Sequence, residues 1–151
     1  MGRELKVQNE MNISFESRSS NEGFARCAVS AFITQLDPTI SELNDIKTAV
    51  SEAVTNCVVH AYRNTIGKIY INVRIKENSV AVIKVRDKGC GIEDIKQAMQ
   101  PLFTTAPSEE RAGLGFAVMQ SFTDKVKVHS KVGKGTTVVF EKRLSCRVGN
   151  G

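Results

Sequence analysis

The chain has 151 residues, of which 41% are hydrophobic and 25% are charged, proportions that are ordinary for one globular domain with a core of its own. The formal net charge of +5 favours anionic partners such as nucleotides, nucleic acid or an acidic protein surface, without choosing among them. The first residues form no apolar signal segment, and no apolar run is long enough to span a membrane, so we expect a cytoplasmic protein without membrane contact.

The first predicted elements are a strand and a helix. Apolar residues alternate with polar ones over Met11–Glu16, the period of a half-buried strand. Ser19 and Glu22 then have the spacing of a capping box, which predicts a helix to about Gln35. The residues expected on its inward face are Phe24, Cys27, Ala28, Ala31 and Phe32.

A second and longer helix follows the break at Asp37-Pro38. Thr39 and Glu42 form another capping box, and the helix is predicted to run to about Tyr62. Its expected core stripe consists of Leu43, Ile46, Val50, Ala53, Val54, Cys57 and Ala61.

Three polar residues on this helix are spaced four apart beside that stripe. Glu52, Asn56 and His60 therefore lie one turn above each other as a polar ladder. The ladder is either a solvated helix edge or a site in which the carboxylate is a base and the amide oxygen binds a hard cation.

The remaining chain predicts four further strands with inserts between them. Lys68–Lys76 and Val80–Arg86 form a hairpin with one covered and one wet face, and a short helix is expected at about Ile92–Met99. Residues 101–111 have no regular period and are typical of a functional or mobile loop. A helix carrying Phe116, Met119 and Phe122, the strands Val126–Ser130 and Thr136–Lys142, and a disordered tail at 145–151 complete the chain.

These elements predict an α+β fold, a two-layer sandwich with helices on one face of a mostly antiparallel sheet. We expect residues 1–144 to form a single domain. The four cysteines, at positions 27, 57, 90 and 146, have no metal-site spacing and are interpreted as reduced and mostly structural.

Three glycine-bearing turns are candidate ligand loops, although each alone could serve only the turn. They contain D-x-G-x-G from Asp87, G-x-G from Gly113 and G-K-G-T from Gly133. The second stands at a predicted helix start, where free N–H groups suit a phosphate. The order of the motifs, E-x-x-x-N-x-x-x-H, D-x-G-x-G, a loose loop, G-L-G-F and K-G-T, resembles the GHKL (Bergerat) ATPase superfamily of gyrases, repair ATPases, heat-shock chaperones and histidine kinases.

The resemblance implies ATP or ADP with Mg²⁺ as cofactors, held under a mobile ATP lid. It assigns Asn56 to magnesium, Asp87 to the adenine amino group and Thr136 to the adenine edge. It assigns Glu52 as the general base, with His60 in a supporting role. The other residues matched to nucleotide binding are Gly89, Gly91, Thr104, Thr105, Gly113, Leu114 and Gly115. By charge and placement, Arg111 is the candidate ligand of the γ-phosphate.

Within the superfamily, the small size, the stretch Val50–Asn56 and the lid sequence Q-P-L-F-T-T resemble the serine kinases that act as anti-sigma factors, those of sporulation above all. This resemblance implies binding of an RNA polymerase sigma factor, sigma F in that branch, and phosphorylation of a serine on an anti-anti-sigma protein. It also implies a partner contact at Arg26 and a homodimer that uses the sheet edge near Met11–Glu16.

Three other functions compete with this interpretation. One is an ATP-gated switch that binds a partner without phosphotransfer, and another is the kinase of a sister general-stress pathway. The third is a small basic nucleic-acid binder, which two tyrosines, no tryptophan and scattered lysines disfavour. We therefore expect no direct contact with nucleic acid.

Overall fold

The computed structural model describes residues 4–99 and 115–145. Within them, five antiparallel strands form one sheet in the order β1-β2-β3-β5-β4. The elements are β1 Val7–Glu16, α1 Asn21–Ile33, α2 Ile40–Asn56, β2 Lys68–Lys76, β3 Val80–Asp87, α3 Ile95–Ala98, α4 Phe116–Phe122, β4 Lys125–Lys131 and β5 Gly135–Arg143. A 3₁₀ turn, Thr34–Leu36, follows α1, and a π turn, Cys57–Ala61, follows α2. The predicted lid and the tail beyond residue 145 lie outside the described residues.

The α+β prediction is confirmed, because the helices cover one face of the sheet and leave the other open. On β2 the residues Ile69, Ile71 and Val73 are buried, while the polar residues between them are half-buried or exposed. Ile71 pairs with Val85 on β3, and Ile83 of β3 pairs with Phe140 of β5, so one apolar layer runs across the central strands. The core stripe of α2 packs on this layer, as the periodicity predicts.

Of the inward face predicted for α1, Phe32 is confirmed because it packs against the core, but the fully buried residues lie on a stripe shifted by one position. Ala25, Val29 and Ile33 are fully buried, whereas Cys27 is exposed and the side chain of Phe24 is 52% exposed. Both stripes are apolar, so periodicity alone does not separate them. Packing against α2 buries the stripe of Ala25, Val29 and Ile33, and Phe24 instead packs edge-on against Phe15 of β1, with ring centroids 5.9 Å apart.

Of the two predicted capping boxes, only the second forms. The Thr39 hydroxyl accepts from the Glu42 N–H at 3.0 Å, and the Glu42 carboxylate accepts from the Thr39 N–H at 2.9 Å. At α1 the residue before the helix is Ser20, which has helical φ and ψ and makes no side-chain cap. Glu22 therefore does not close a box with Ser19, and its carboxylate accepts from the Ser51 hydroxyl of α2.

We expect Thr39→Ala to lower the free energy of unfolding by about 1 kcal/mol, because it leaves a helix N–H without its side-chain acceptor. Urea unfolding followed by circular dichroism measures this change. Ser20→Ala is the matched control and should have almost no effect, since its hydroxyl caps nothing. Equal losses in the two variants would contradict the assignment.

Two predicted boundaries also change, and one residue predicted in the core is exposed. β1 begins at Val7 rather than Met11, because its first residues pair with the end of β2 even though they are exposed on both sides. α3 spans only Ile95–Ala98, since the Asp94 carboxylate accepts from the Gln97 N–H and starts the helix there. Phe122, expected in the core stripe of α4, is 36% exposed at the end of that helix.

Candidate functional site

A cavity of about 180 Å³ lies between the end of α2, the loop after β3 and the start of β5. It brings together five predicted site residues that are far apart in the sequence. They are Asn56, His60, Asp87, Gly91 and Thr136, and they share the wall with Ala53, Cys57, Ala61, Arg63, Val85, Cys90, Ile92, Glu93, Phe116 and Val138. The cavity is therefore apolar over much of its surface, with a few convergent polar groups, as small-molecule sites usually are.

The Asp87 carboxylate is the polar centre of this cavity and is only 6% exposed. Its Oδ1 accepts from the N–H groups of Gly89 at 2.9 Å and Thr136 at 3.2 Å. Burial raises the pKa of the Asp87 carboxyl, and these backbone donors oppose that shift. Two main-chain donors fix Oδ1, which leaves Oδ2 as the oxygen that can serve a ligand with an N–H donor.

Cys57 contacts this second oxygen. Its buried thiol donates to Asp87 Oδ2 at 3.5 Å, and burial, with the neighbouring carboxylate, raises the thiol pKa well above its ordinary value. The thiol is thus a neutral group that packs against the carboxylate. This agrees with the interpretation of Cys57 as structural.

The π turn at the end of α2 holds the loop that follows β3. The Ala61 carbonyl accepts from the Cys90 N–H at 3.1 Å, and the His60 carbonyl accepts from the Cys90 thiol at 3.3 Å. His60 and Ala61 end the helical segment, so their carbonyls have no partner further along it and can accept from the loop. His60 thus contacts the loop through its backbone carbonyl, and its half-buried side chain lines the cavity.

The hairpin between β4 and β5 also forms hydrogen bonds with the loop that follows β3. The Gly133 N–H donates to the Cys90 carbonyl at 2.8 Å, and the Ile92 N–H donates to Ser130 Oγ at 2.7 Å. Gly91 has φ +81°, and its α-carbon faces the backbone of Lys131 so closely that a side chain would collide with it.

Sequence reasoning missed two residues that shape this site. The buried Tyr62 hydroxyl donates to the Lys68 carbonyl at 2.7 Å and accepts from the Lys88 N–H at 2.6 Å, so it ties the end of β3 to the start of β2. Ser130 is the other. Neither Tyr62 nor Ser130 belongs to a recognisable motif. For Ser130, strand alternation is the one available signal in the sequence, because it places this residue on the same inward face as Val126 and Val128.

The Glu52 carboxylate lies against Gly115, at the start of α4. Gly115 has φ +63° and precedes the first helical residue, and a side chain there would occupy the position of Glu52 Oε1. The structure thus brings the base candidate beside the last residue of the G-L-G motif. Burial raises the pKa of the half-buried Glu52 carboxyl above its usual value.

Glu52 also borders a groove of about 300 Å³ between α1 and α2. The groove is lined by Arg26, Asn44, Lys47, Thr48, Ser51 and Glu52. Arg26 is half-exposed there and pairs with Glu22 one turn earlier at 3.3 Å. The partner-binding and base candidates therefore share one surface.

Asn56 is suited to Mg²⁺ only together with a phosphate ligand. Among the described residues, no three His, Cys, Asp or Glu side chains cluster as a metal cage. Asn56 presents an amide to the cavity, and Mg²⁺ is commonly bound by one or two protein oxygens plus substrate phosphates. Among the described residues, the donor set fits that kind of magnesium binding. The predicted residues Thr104, Thr105, Arg111, Gly113 and Leu114 lie outside the described part of the chain.

Residues 15–142 match the family described as histidine kinase-like ATPase domain. The chain is 57% identical over 140 residues to the anti-sigma F factor of Caldanaerobacter subterraneus subsp. tengcongensis, covering 93% of this chain and 97% of that protein. It is 49% identical to the anti-sigma F factor of Priestia megaterium over 92% of this chain and 95% of the relative.

Solved structures share the fold. The RsbU and RsbW domains of a Mycobacterium tuberculosis protein superpose with a TM-score of 0.67 at 19% identity, over 91% of this chain and 33% of that one. The catalytic domain of histidine kinase ThkA superposes with a TM-score of 0.56 at 16% identity, over 91% of this chain and 98% of that one.

Across residues 4–99 and 115–145, no helix has the length and hydrophobicity to cross a membrane.

Proposed function

This chain belongs to the histidine kinase-like (GHKL) ATPase family, among its anti-sigma factors, and we propose that it uses MgATP to phosphorylate a serine of an anti-anti-sigma protein. The sigma factor that it binds and inhibits is, in this proposal, sigma F. Nucleotide binding follows from the ATPase family itself. The transfer to serine rests on the position of one carboxylate.

That carboxylate is Glu52, which stands where the nucleotide cavity and the α1–α2 groove adjoin. The residues after it, Ala53 and Asn56, line the cavity, whereas Glu52 itself lines the groove with Arg26. A protein segment in the groove can therefore bring a hydroxyl to Glu52 while a nucleotide fills the cavity. This arrangement is the observation that carries the proposal.

The chemistry requires a base, charge neutralisation and alignment. Glu52 accepts the proton of the serine hydroxyl while the serine oxygen attacks the γ-phosphorus. The bond between the γ-phosphorus and the oxygen that bridges it to the β-phosphate breaks, and ADP leaves with that oxygen. The raised pKa of Glu52 makes it a stronger acceptor than an exposed glutamate. Mg²⁺, when bound at Asn56, supplies charge neutralisation of the phosphates. Gly115, at the start of α4, keeps the backbone beside Glu52 free of a side chain.

Asp87 and Thr136 orient the base of the nucleotide. Asp87 Oδ2 accepts from the adenine amino group, and a guanine carbonyl in that place would face a carboxylate. Gly89 and Gly91 let the loop after β3 lie close against the backbone of Ala61 and Lys131, where side chains would collide, and the Gly89 N–H holds Asp87 Oδ1.

The decisive experiment is transfer of label from γ-³²P-ATP, with Mg²⁺, to a purified candidate anti-anti-sigma protein. Serine-linked label on the partner supports the proposal. If ATP binds and the partner forms a complex but carries no label, the protein is an ATP-gated binding switch. If a general-stress partner is labelled and a sporulation partner is not, the chain serves the sister pathway.

Arg26 is expected to be a major contact with the protein partners. Arg26→Ala should weaken complex formation about 30-fold, since a central interface arginine is commonly worth about 2 kcal/mol. Calorimetric titration with the sigma factor measures this. Arg18→Ala is the control, because Arg18 is also an exposed arginine paired with a glutamate, Glu16 at 2.9 Å, but lies outside the groove. Equal losses for Arg26→Ala and Arg18→Ala would remove the groove from the proposal.

We also propose a homodimer through β1. β1 is an outer strand without lysine, arginine or proline, whereas the opposite outer strand, β4, carries three lysines that discourage strand pairing. Asn12→Lys combined with Ser14→Lys should convert the dimer to a monomer in analytical ultracentrifugation. His129→Lys on β4 should stay dimeric, and dissociation of that variant as well would point to a general charge effect.

A further inference from the structure

Arg63 is a cation at the edge of the nucleotide cavity, and neither the sequence motifs nor the proposed phosphate transfer uses it. It lies two residues beyond the π turn that follows α2, it is exposed, and it lines the cavity together with His60 and Cys90. Among the described residues that line this cavity, it is the one lysine or arginine. A positive charge at that place has two uses towards a nucleotide, one with the phosphates and one with the base.

The contacts of Arg63 place it beside the loop that follows β3. Arg63 Nε donates to the His60 carbonyl at 3.3 Å, and the Cys90 thiol donates to the same oxygen, also at 3.3 Å. Cys90 lies three residues after Asp87, whose carboxylate is the proposed acceptor for the adenine amino group. One carbonyl oxygen therefore joins Arg63 to the loop that begins at the base-recognition residue.

The proposed phosphate end of the site lies at the other end of the same helical segment. Glu52, the proposed base, and Asn56, the proposed magnesium ligand, both precede the π turn, whereas Arg63 follows it. Glu52 also lies against Gly115 at the start of α4. The segment thus runs from the groups that serve the phosphates to Arg63, which leaves the base as the part of the ligand nearest to Arg63.

The shape of the cavity indicates which part of the base Arg63 meets. Asp87 and Thr136 are only 6% and 8% exposed, so the polar edge of an adenine that binds them points into the protein. The flat faces of the ring then lie along the cavity walls, and Arg63 stands on the exposed rim of a wall. A guanidinium is planar and stacks on aromatic faces, and on an exposed rim it can do so without leaving water.

We propose that Arg63 is a nucleotide-binding residue whose guanidinium stacks on one face of the adenine ring. Its contribution is to the binding of the base and not of the phosphates, although it is a cation. This inference rests on the proposed binding of an adenine nucleotide in the cavity.

Arg63→Ala should weaken the binding of adenosine, AMP and ADP by the same factor, about three- to tenfold, as expected for a cation–π contact at a partly exposed site. Adenosine has the ring and no charge, so a phosphate contact cannot contribute to its loss. Ribose 5-diphosphate has the phosphates and no ring, and it should bind the variant and the wild type equally. Competition against a fluorescent ADP analogue gives the dissociation constants of all four ligands, including weak ones.

Two further variants serve as controls. Arg18→Ala removes the same charge outside the cavity lining, and it should leave the dissociation constant for adenosine unchanged. Glu93→Gln tests whether Arg63 acts instead through an ion pair, because Glu93 is the other charged residue on the exposed rim. Under the proposal, Arg63→Ala causes the same loss in the Glu93→Gln background as in wild type.

A loss that grows from adenosine through AMP to ADP would overturn the inference, because it would place Arg63 at the phosphates. Equal binding of adenosine to wild type and Arg63→Ala would also overturn it, and so would a loss that disappears in the Glu93→Gln background. If wild type did not bind ADP at all, the proposed function itself would be refuted, so the two failures are distinguishable.

Discussion

Glu52→Gln should lower the rate of phosphate transfer about 10²- to 10⁴-fold, the usual contribution of a general base. Glutamine has the shape of glutamate but cannot take up the serine proton. The side chain lies against Gly115 and in the groove, and the amide fits the same space. The dissociation constant for ATP should therefore change little. Single-turnover transfer and equilibrium binding together separate the two effects.

The pH dependence of the reaction provides the control on the role of Glu52. Burial raises the pKa of this carboxyl above its ordinary value of 4.5, so the base is protonated and inactive at low pH. The rate in the wild type should rise with pH through that raised pKa, and the residual rate of Glu52→Gln should lack this rise. Glu141→Gln, at a half-buried glutamate of β5, should keep both the rate and the pH dependence. A Glu52→Gln variant with the wild-type rate would exclude Glu52 as the base.

Asp87→Asn should weaken ADP binding about 10- to 100-fold, the range expected for one hydrogen bond to a charged group. Asparagine can keep its oxygen on the N–H groups of Gly89 and Thr136, which turns its amide nitrogen towards the adenine amino group. Two donors then face each other. Inosine diphosphate has a carbonyl at the same place, so its affinity should fall much less or should rise. Fluorescence or calorimetric titration with both nucleotides gives the ratio of the two dissociation constants.

The matched control for this variant is Asp45→Asn. Asp45 accepts from Lys142 Nζ at 3.1 Å on the far part of α2 and lies outside the cavity lining. It should bind both nucleotides as wild type does. If Asp87→Asn weakened the binding of ADP and of inosine diphosphate equally, the carboxylate would stabilise the loop and would not recognise the base.

The sequence predicted those parts of the fold that depend on local pattern. The alternation of Ile69, Ile71 and Val73 placed one face of β2 in the core, and the Thr39 capping box placed the start of α2. Both signals depend on neighbouring residues within a few positions. The predicted inward face of α1 was wrong at Phe24 and Cys27, and the capping box predicted at Ser19 does not form. The predicted and the observed stripe of α1 are both apolar, so packing against α2 decided which of them is buried.

The candidate site was predictable where a residue type carries the chemistry by itself. Glu52, Asn56, Asp87 and Thr136 could be named from their motifs, and the structure brings Asn56, Asp87 and Thr136 to one cavity with Glu52 at the adjoining groove. Their catalytic and binding roles remain the predictions set out above.

Only the tertiary structure showed what surrounds those groups. The contacts of Tyr62 with both strands, the bond of Ser130 to Thr136 and the approach of Glu52 to Gly115 join residues that no local pattern relates. The sequence determined which chemical groups are present and on which elements they stand, because element type follows from short-range periodicity. Burial, and with it the raised pKa values of Glu52 and Asp87, was decided by the packing of distant segments.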